Sequence, residues 1–416
     1  MSILVLIIAH HPLLLDDNRL PRYLTSRLSS RSHLLHLMLE GAANLFCAIL
    51  GLYISCTSTQ VLGGARSANE DAMDIPIIDF EKSSSSPKNV AEDLLKACAD
   101  WGFFYVKNHP IPQEAVDGMF DLEKSFFAQD NSTKLEAPYI PSKNAGFKPA
   151  SSNGAYGKKT DPREAFSINK WPTESHASKA PLPPILDQAR PQIRSFQKHV
   201  QSFTSRLLEL IALALDLPST QFTSQHDASA ENFDNFELMH YPPVALTEKE
   251  ASQAIKFRIS PHTDWGTLTL LFQQSIGGLE VRPPSYTSPS LDLEHETWTP
   301  APVYDDMVLI NIGDMLEFWT AGRLKSTWHR VVPTALHGGV DRYTFAYFRH
   351  PNKDAVLVPI EAMKRDGWVP RYAGIGRTAE QHIHARIHGQ YGLVKDDEKK
   401  PEGVVSVAVG EVAAQA

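Results

Sequence analysis

From Val90 to Trp101 the segment VAEDLLKACADW repeats apolar residues at the spacing of an amphipathic helix. The next run, GFFYVKNH (Gly102–His109), abandons that spacing for aromatic and β-branched residues and predicts a strand. PQEAVDGMFDLEKSFFAQ predicts a second helix, with Pro112 suited to its first turn. RPQIRSFQKHVQSFTSRLLELIALALDL (Arg190–Leu217) is the longest helical pattern, and TAEQHIHARIHGQYG (Thr378–Gly392) predicts a final helix. Upstream, DIPIIDF (Asp74–Phe80) reads as a short strand closed by the polar run EKSSSSPKN. Residues 130–185 are rich in Pro, Gly, Ser and Asn and read as loops with short strands such as EAFSINKW. From Phe233 to Phe348 short β segments alternate with Pro and Gly turns. Helices followed by a run of strands predict an α+β chain whose second part is an antiparallel sandwich or barrel. The polar tail beyond the last helix is expected to be disordered.

Residues 1–72 lack this patterning. Arg19, Arg22, Arg27 and Arg31 precede a stretch, Ser32 to Ala65, whose only charge is Glu40. Within it AANLFCAILGLYISC (Ala42–Cys56) is uniformly apolar but spans 15 residues, short of the ~20 that cross a bilayer. Three readings stand: a membrane anchor with a basic leader, a cleaved signal, or an extension upstream of a true start at Met73. A cytoplasmic location is expected, with membrane attachment only if the apolar segment is real.

The chain has 416 residues and a formal net charge of −8. An acidic balance gives no footprint for nucleic acid. Cys47, Cys56 and Cys98 are odd in number and not in zinc spacing, so they imply neither a disulfide framework nor a thiolate metal site. No protein partner can be inferred.

Chemistry concentrates in ISPHTDWGTLTLLF (Ile259–Phe272). Strand alternation turns His262 and Asp264 the same way, as two metal ligands require. His329 in KSTWHRVVP, another extended segment, is the candidate third ligand. Farther on, RYTFAYF sets Arg342 and Thr344 two apart, a guanidinium and a hydroxyl suited to receive a carboxylate. Two histidines and one carboxylate leave open positions on a metal and suit non-haem Fe(II) working with O2. An Arg/Thr pair nearby suits the far carboxylate of a dicarboxylate such as 2-oxoglutarate.

His-x-Asp, a histidine about 65 residues on, then Arg-x-Thr resembles the 2-oxoglutarate- and Fe(II)-dependent dioxygenases, and more narrowly their isopenicillin N synthase-like branch. IPIIDF and WGFFYVKNHPIP resemble that branch's N-terminal region. LMHYPP resembles its Tyr-Pro segment, PHTDWGTLTLLFQQSIGGLEV its first ligand strand, NIGDMLEFWTAGRLKSTWHRVV the approach to the second histidine, and DRYTFAYFRHPN the co-substrate arginine segment. The resemblance covers about Asp74 to Gly392. It implies a double-stranded β-helix (jelly-roll) core with bracing N-terminal helices and a C-terminal helix. Expected boundaries are 73–190 for the N-terminal region, 191–231 for the long helix and its connection, 232–351 for the jelly roll, 352–392 for the C-terminal helix region and 393–416 for the tail.

The resemblance further implies Fe(II) on His262, Asp264 and His329. It implies 2-oxoglutarate held by Arg342 and Thr344, with Tyr241 as a pocket tyrosine touching substrate or co-substrate. Succinate and CO2 would be released as a small organic molecule is hydroxylated, desaturated or cyclised. The branch usually carries a serine where this chain has Thr344, which keeps the hydroxyl. Pro138–Trp171 is a candidate lid. Asn311 and Asp314 are expected to shape a turn, His109 to be structural, and His384 and His388 to form a solvated face. Arg342 could instead pair with Asp341 or Glu317. Three alternatives stay open: a 2-oxoglutarate-independent oxidase of the same branch, a catalytically silent jelly-roll binding protein, and a zinc hydrolase on the same ligands.

Overall fold

Pro87 opens helix α1 (Pro87–Asp100), three residues ahead of the first apolar position of the predicted helix. Proline is tolerated there because its missing N–H has no partner in a first turn. α1 buries Val90, Ala91, Leu94, Ala97 and Cys98. It ends at Gly102, whose φ is +67° and where a Cβ would lie 2.1 Å from the Lys325 carbonyl oxygen. Only glycine permits that turn into strand β2 (Phe103–Lys107). β2 pairs in parallel with β1 (Ile77–Asp79). Helix α2 (Gln113–Phe127) starts one residue after Pro112, which occupies the N-cap. The long helix α3 runs Arg190–Ala214.

The computed structural model describes residues 74–150, 163–171, 181–243, 257–284, 297–333, 340–369 and 376–390. The chain divides into Met1–Ala72 and Met73–Ala416, and all the described residues lie in the second unit. The expectations for residues 1–72, for the tail and for most of the lid's tip lie outside the described residues.

Beyond α3, strands β5 (Asn235–Tyr241), β6 (Ile259–His262), β7 (Leu268–Gln273), β8 (Leu279–Val281), β9 (Thr299–Pro300), β10 (Met307–Ile312), β11 (His329–Val331) and β12 (Arg342–Arg349) follow. They are shared between two sheets. The large sheet has the order β1-β2-β10-β7-β12-β5-β4-β3, with β3 (Gly146–Lys148) and β4 (Glu164–Asn169) at one edge, and the small one β6-β11-β8-β9. β5, β7, β10 and β12 thus alternate with members of the small sheet, which is the winding of a double-stranded β-helix. Apart from β1–β2, every pairing between named strands is antiparallel. The predicted α+β jelly roll is the observed fold.

Two cores follow from the alternation of each strand. α1, α2 and α3 cover the outer face of the large sheet, where Leu94, Phe120, Phe196, Phe203, Phe236, Phe272 and Phe345 pack together. Each such buried side chain contributes about 1.5–3 kcal/mol. Phe103, Met239, Tyr241, Val281, Leu309, Val331 and Ala346 fill the interior of the roll.

The region read as strands alone also holds a helix, α4 (Asp314–Trp319). Its six residues are too few to print a period, and all but Glu317 are buried. Helix α5 (Ala379–Gln390) matches the predicted final helix. Among the described residues no helix is long and apolar enough to cross a membrane.

A buried polar cluster underlies β12. Arg349 pairs with Asp234, which also accepts the Tyr347 hydroxyl at 3.0 Å. Beside it His226 donates Nδ1–H to the Phe222 carbonyl at 2.7 Å and accepts the Thr267 hydroxyl on Nε2 at 2.9 Å. Burial, with the Arg349 charge, pushes His226 down to about 3. The folded protein keeps this ring neutral while the unfolded chain protonates it near 6.5. Folding stability should therefore fall as pH drops from about 6.5 toward 3, by roughly 1.4 kcal/mol per unit for this one group. Urea unfolding between pH 7 and pH 5 should show a shallower acid slope for His226→Gln than for the wild type.

Candidate metal centre

β6 and β11 run antiparallel with His262 directly opposite His329, and the two ring centroids are 4.2 Å apart. Each ring is oriented in the same way. His262 Nδ1 meets the Ser260 carbonyl at 2.9 Å and His329 Nδ1 meets the Thr327 carbonyl at 3.1 Å. A carbonyl only accepts, so each Nδ1 carries the proton and each Nε2 offers a lone pair.

Asp264 arrives by a different route from the one strand alternation predicts. β6 ends at His262, and Asp264 lies in the turn before β7. The start of α4 fixes that turn: N–H groups of Gly313, Asp314 and Met315 donate to the carbonyls of Thr267, Asp264 and Gly266 at 3.0, 2.8 and 3.0 Å. The two glycines touch, and a Cβ on Gly313 would lie 2.3 Å from the Gly266 oxygen. Asp264 Oδ1 is then 3.7 Å from Nε2 of both histidines. Two ligands about 2.1 Å from one ion lie at most about 4.2 Å apart, so these separations suit a shared ion. Among the described residues this is the one grouping of three metal-ligating side chains close enough to share an ion.

The electrostatics agree. Burial alone would raise the Asp264 carboxyl, but the rings of His329 and His262 and hydrogen bonds from Thr269 and Asn311 hold it below its ordinary value. Burial and the neighbouring His329 push His262 down to about 4, so its Nε2 is unprotonated at neutral pH. His262 keeps 34% of its side chain accessible against 9% for His329 and 7% for Asp264, so the cluster opens on the His262 side. An anionic oxygen and two imidazole nitrogens with one open side fit Fe(II).

Asn311 was expected only to shape a turn. It lies one residue before the end of β10, opposite Thr269, and donates Nδ2–H to Asp264 Oδ2 at 2.8 Å. A lone asparagine in the apolar strand MVLINI was the available signal. Asn311→Ala should weaken Fe(II) binding about 10- to 100-fold, the usual cost of losing a partner that orients a ligand. Fe(II) titration alongside far-UV circular dichroism checks this. Asp314 accepts the Ser326 hydroxyl at 2.9 Å and does begin a helix turn. His384 stacks edge-on to Phe233 away from this cluster, and the His388 side chain lies outside the described residues. His109 packs between Phe203 and Phe272, a structural role as expected.

Farther into the roll, Arg342 begins β12 opposite Tyr241 of β5, with its guanidinium 4.6 Å from the Tyr241 ring centre. Nε donates to the carbonyls of Ile276 and Gly277 at 3.1 and 2.9 Å, and Nη2 to Gln273 Oε1 at 3.3 Å. Burial lowers Arg342 from the ordinary guanidinium value, and Tyr241 opposes that shift. Asp341 is not its partner; it meets His240 Nε2 at 2.7 Å. Arg342 Nη1 and Thr344 Oγ1 are buried, lie on the same side of β12 and have no hydrogen-bond partner among the described residues. Each such group costs about 1–3 kcal/mol unless something satisfies it. An incoming carboxylate would satisfy both.

Comparison with known proteins agrees with this geometry. Residues 75–185 match the family described as non-haem dioxygenase in morphine synthesis N-terminal, and residues 232–351 match the 2OG-Fe(II) oxygenase superfamily. The 2-oxoglutarate-dependent dioxygenase frbA of Dothideomycetidae sp. is 32% identical, with 77% of this chain and 98% of that protein aligned. Proline hydroxylase buaE of Petromyces alliaceus is 31% identical over 72% of this chain and 93% of its own. A full-length Neurospora crassa protein solved in complex with alpha-KG and thymine superposes with a TM-score of 0.65 at 26% identity, covering 78% of this chain and 99% of that one. The chain belongs to the 2OG-Fe(II) oxygenase superfamily, and is an oxidoreductase, a 2-oxoglutarate-dependent dioxygenase working with Fe(II).

Proposed function

We propose that His262, Asp264 and His329 hold the Fe(II), and that Arg342, Thr344 and Tyr241 hold the far carboxylate of 2-oxoglutarate. The observation that carries this reading is the pair of unsatisfied buried atoms, Arg342 Nη1 and Thr344 Oγ1, facing the interior of the roll. Bound Fe(II) with 2-oxoglutarate and O2 supplies the oxidation, giving succinate and CO2 as a C–H bond of the substrate is oxidised.

The chain's own residues do the rest. The Nδ1–H bonds to Ser260 and Thr327 lock both imidazoles with Nε2 inward. Asn311 fixes one Asp264 oxygen so that the other faces the ion. Tyr241 supports the Arg342 guanidinium, and the carbonyls of Ile276 and Gly277 set its angle. The apolar interior around Val281, Val331 and Leu309 excludes water from the reacting carbon.

In this reading the substrate is a small organic molecule and 232–351 is the catalytic region. Residues 73–190 and the α3 segment brace it, and 352–392 closes it. A cytoplasmic, reducing compartment belongs to the same reading, supported by the buried free thiol of Cys98. The test is succinate release by the purified full chain with Fe(II), 2-oxoglutarate and O2 across a small-molecule panel. Release that needs all three supports the reading. Substrate oxidation without succinate would assign the chain to the oxidases that use no 2-oxoglutarate.

A further inference from the structure

The final helix reaches back to the turn that carries Asp264. In α5, Ala379, His382, Ile383, Arg386 and Ile387 recur at the spacing of one helix face. Ala379, Ile383 and Ile387 join the outer core. The His382 ring is buried edge-on to Phe318 of α4, with centroids 5.6 Å apart. This packing brings the Arg386 guanidinium onto the iron-ligand turn.

Arg386 Nη2 donates to the Thr263 carbonyl at 3.1 Å. Thr263 stands between the ligands His262 and Asp264, and this carbonyl belongs to the peptide that joins it to Asp264. The guanidinium also lies 5.7 Å from the ring centre of Trp265, the residue after Asp264. Arg386 therefore meets both chain neighbours of the anionic ligand. From the inner side, α4 already holds the carbonyls of Asp264, Gly266 and Thr267. Arg386 adds that of Thr263, so two helices fix the turn.

Asp314 joins the two helices. Its Oδ2 is 3.6 Å from Arg386 Nη2 and 3.8 Å from His382 Nε2. Its backbone N–H donates to the Asp264 carbonyl at 2.8 Å, and its Oδ1 accepts the Ser326 hydroxyl at 2.9 Å. Ser326 lies three residues before His329. One residue thus links α5 to the segments that carry all three ligands. Asp314 keeps 1% of its side chain accessible and Arg386 17%, so solvent screens this pair far less than it screens a surface pair. A ligand side chain is placed only as well as its backbone, and a displacement of about 0.5 Å is enough to spoil a metal site.

We propose that Arg386 is a positioning residue for the iron centre, acting through the Thr263–Asp264 peptide, so that docking of α5 and binding of Fe(II) reinforce each other. The proposal rests on the reading of His262, Asp264 and His329 as the iron ligands. The coupling is reciprocal: a docked α5 raises the affinity for Fe(II), and bound Fe(II) holds α5 in place by the same factor.

The test uses the full chain under anaerobic conditions with Fe(II) alone as the probe. Affinity is read by equilibrium dialysis and folding by far-UV circular dichroism. Arg386→Met removes the charge and the donors and should weaken Fe(II) binding about 10- to 100-fold, the usual cost of losing a partner that orients a ligand. Arg386→Lys keeps a charge and donors without the planar group and should recover part of that loss. His384→Ala, on the same helix but edge-on to Phe233, should bind Fe(II) as the wild type does. A second measurement needs no variant: hydrogen exchange over residues 379–390 should slow when the wild type is saturated with Fe(II). In Arg386→Met at saturating Fe(II) that gain in protection should be lost. If Arg386→Met fails to fold, Arg386→Lys and wild-type exchange carry the test. A folded Arg386→Met protein with wild-type affinity, an equal loss in His384→Ala, or α5 amides indifferent to Fe(II) would each overturn the proposal. A wild type that binds no Fe(II) would instead overturn the reading of the metal centre, and this proposal with it.

Discussion

Asp264→Ala is expected to abolish Fe(II) binding at micromolar metal and to bring succinate release to background. Asp264 is the only anionic group in the cluster, and its Oδ1 faces both Nε2 atoms at 3.7 Å. Without it the site is two imidazoles, one of them a third exposed. Losing a partner that merely orients a ligand costs about 10- to 100-fold in metal affinity, so losing the charged ligand itself should cost more than about a hundredfold. The fold should persist, because the turn is pinned through backbone groups of Asp264, Gly266 and Thr267 that alanine retains. Equilibrium dialysis with Fe(II), far-UV circular dichroism and a succinate assay check the three parts. His384→Ala, outside the cluster, serves as the control.

Arg342→Met is expected to leave Fe(II) binding intact while raising the KM for 2-oxoglutarate steeply. Truncating one partner of a buried, hydrogen-bonded charge pair costs about 2–5 kcal/mol, roughly 30- to several-thousandfold. Arg342→Lys should recover little. An ammonium lacks the planar fork that lets Nε bond the carbonyls of Ile276 and Gly277 while Nη1 faces elsewhere. Thr344→Val removes one neutral hydrogen bond and should cost about 2- to 10-fold, with Thr344→Ser near wild type. An equal rise in KM for Fe(II) and for 2-oxoglutarate would indicate general damage instead of a lost carboxylate contact.

The chemistry was more legible than the local structure that delivers it. His262 and His329 stand out because each follows a polar gap at the edge of a β-forming run, and the register of β6 with β11 brings them face to face. Asp264 reaches the two imidazoles by a route that strand alternation does not give, since the strand stops at His262 and α4 holds the turn. That helix was invisible because DMLEFW is nearly all buried and only six residues long, so burial erased the polar half of its pattern. Asn311 was missed because its partner is Asp264, distant in sequence, a relation no local spacing encodes. Long helices such as α3 were read to within a few residues because an amphipathic face repeats often enough to be seen.

The most direct test of the account is anaerobic titration of the full chain with Fe(II) and 2-oxoglutarate, followed by visible absorbance. The account predicts a weak charge-transfer band that requires both components, saturates at one of each per chain, is absent in His262→Ala, and needs far more 2-oxoglutarate in Arg342→Met. A well-folded wild-type protein that forms no such band, or whose band is indifferent to both substitutions, would contradict it.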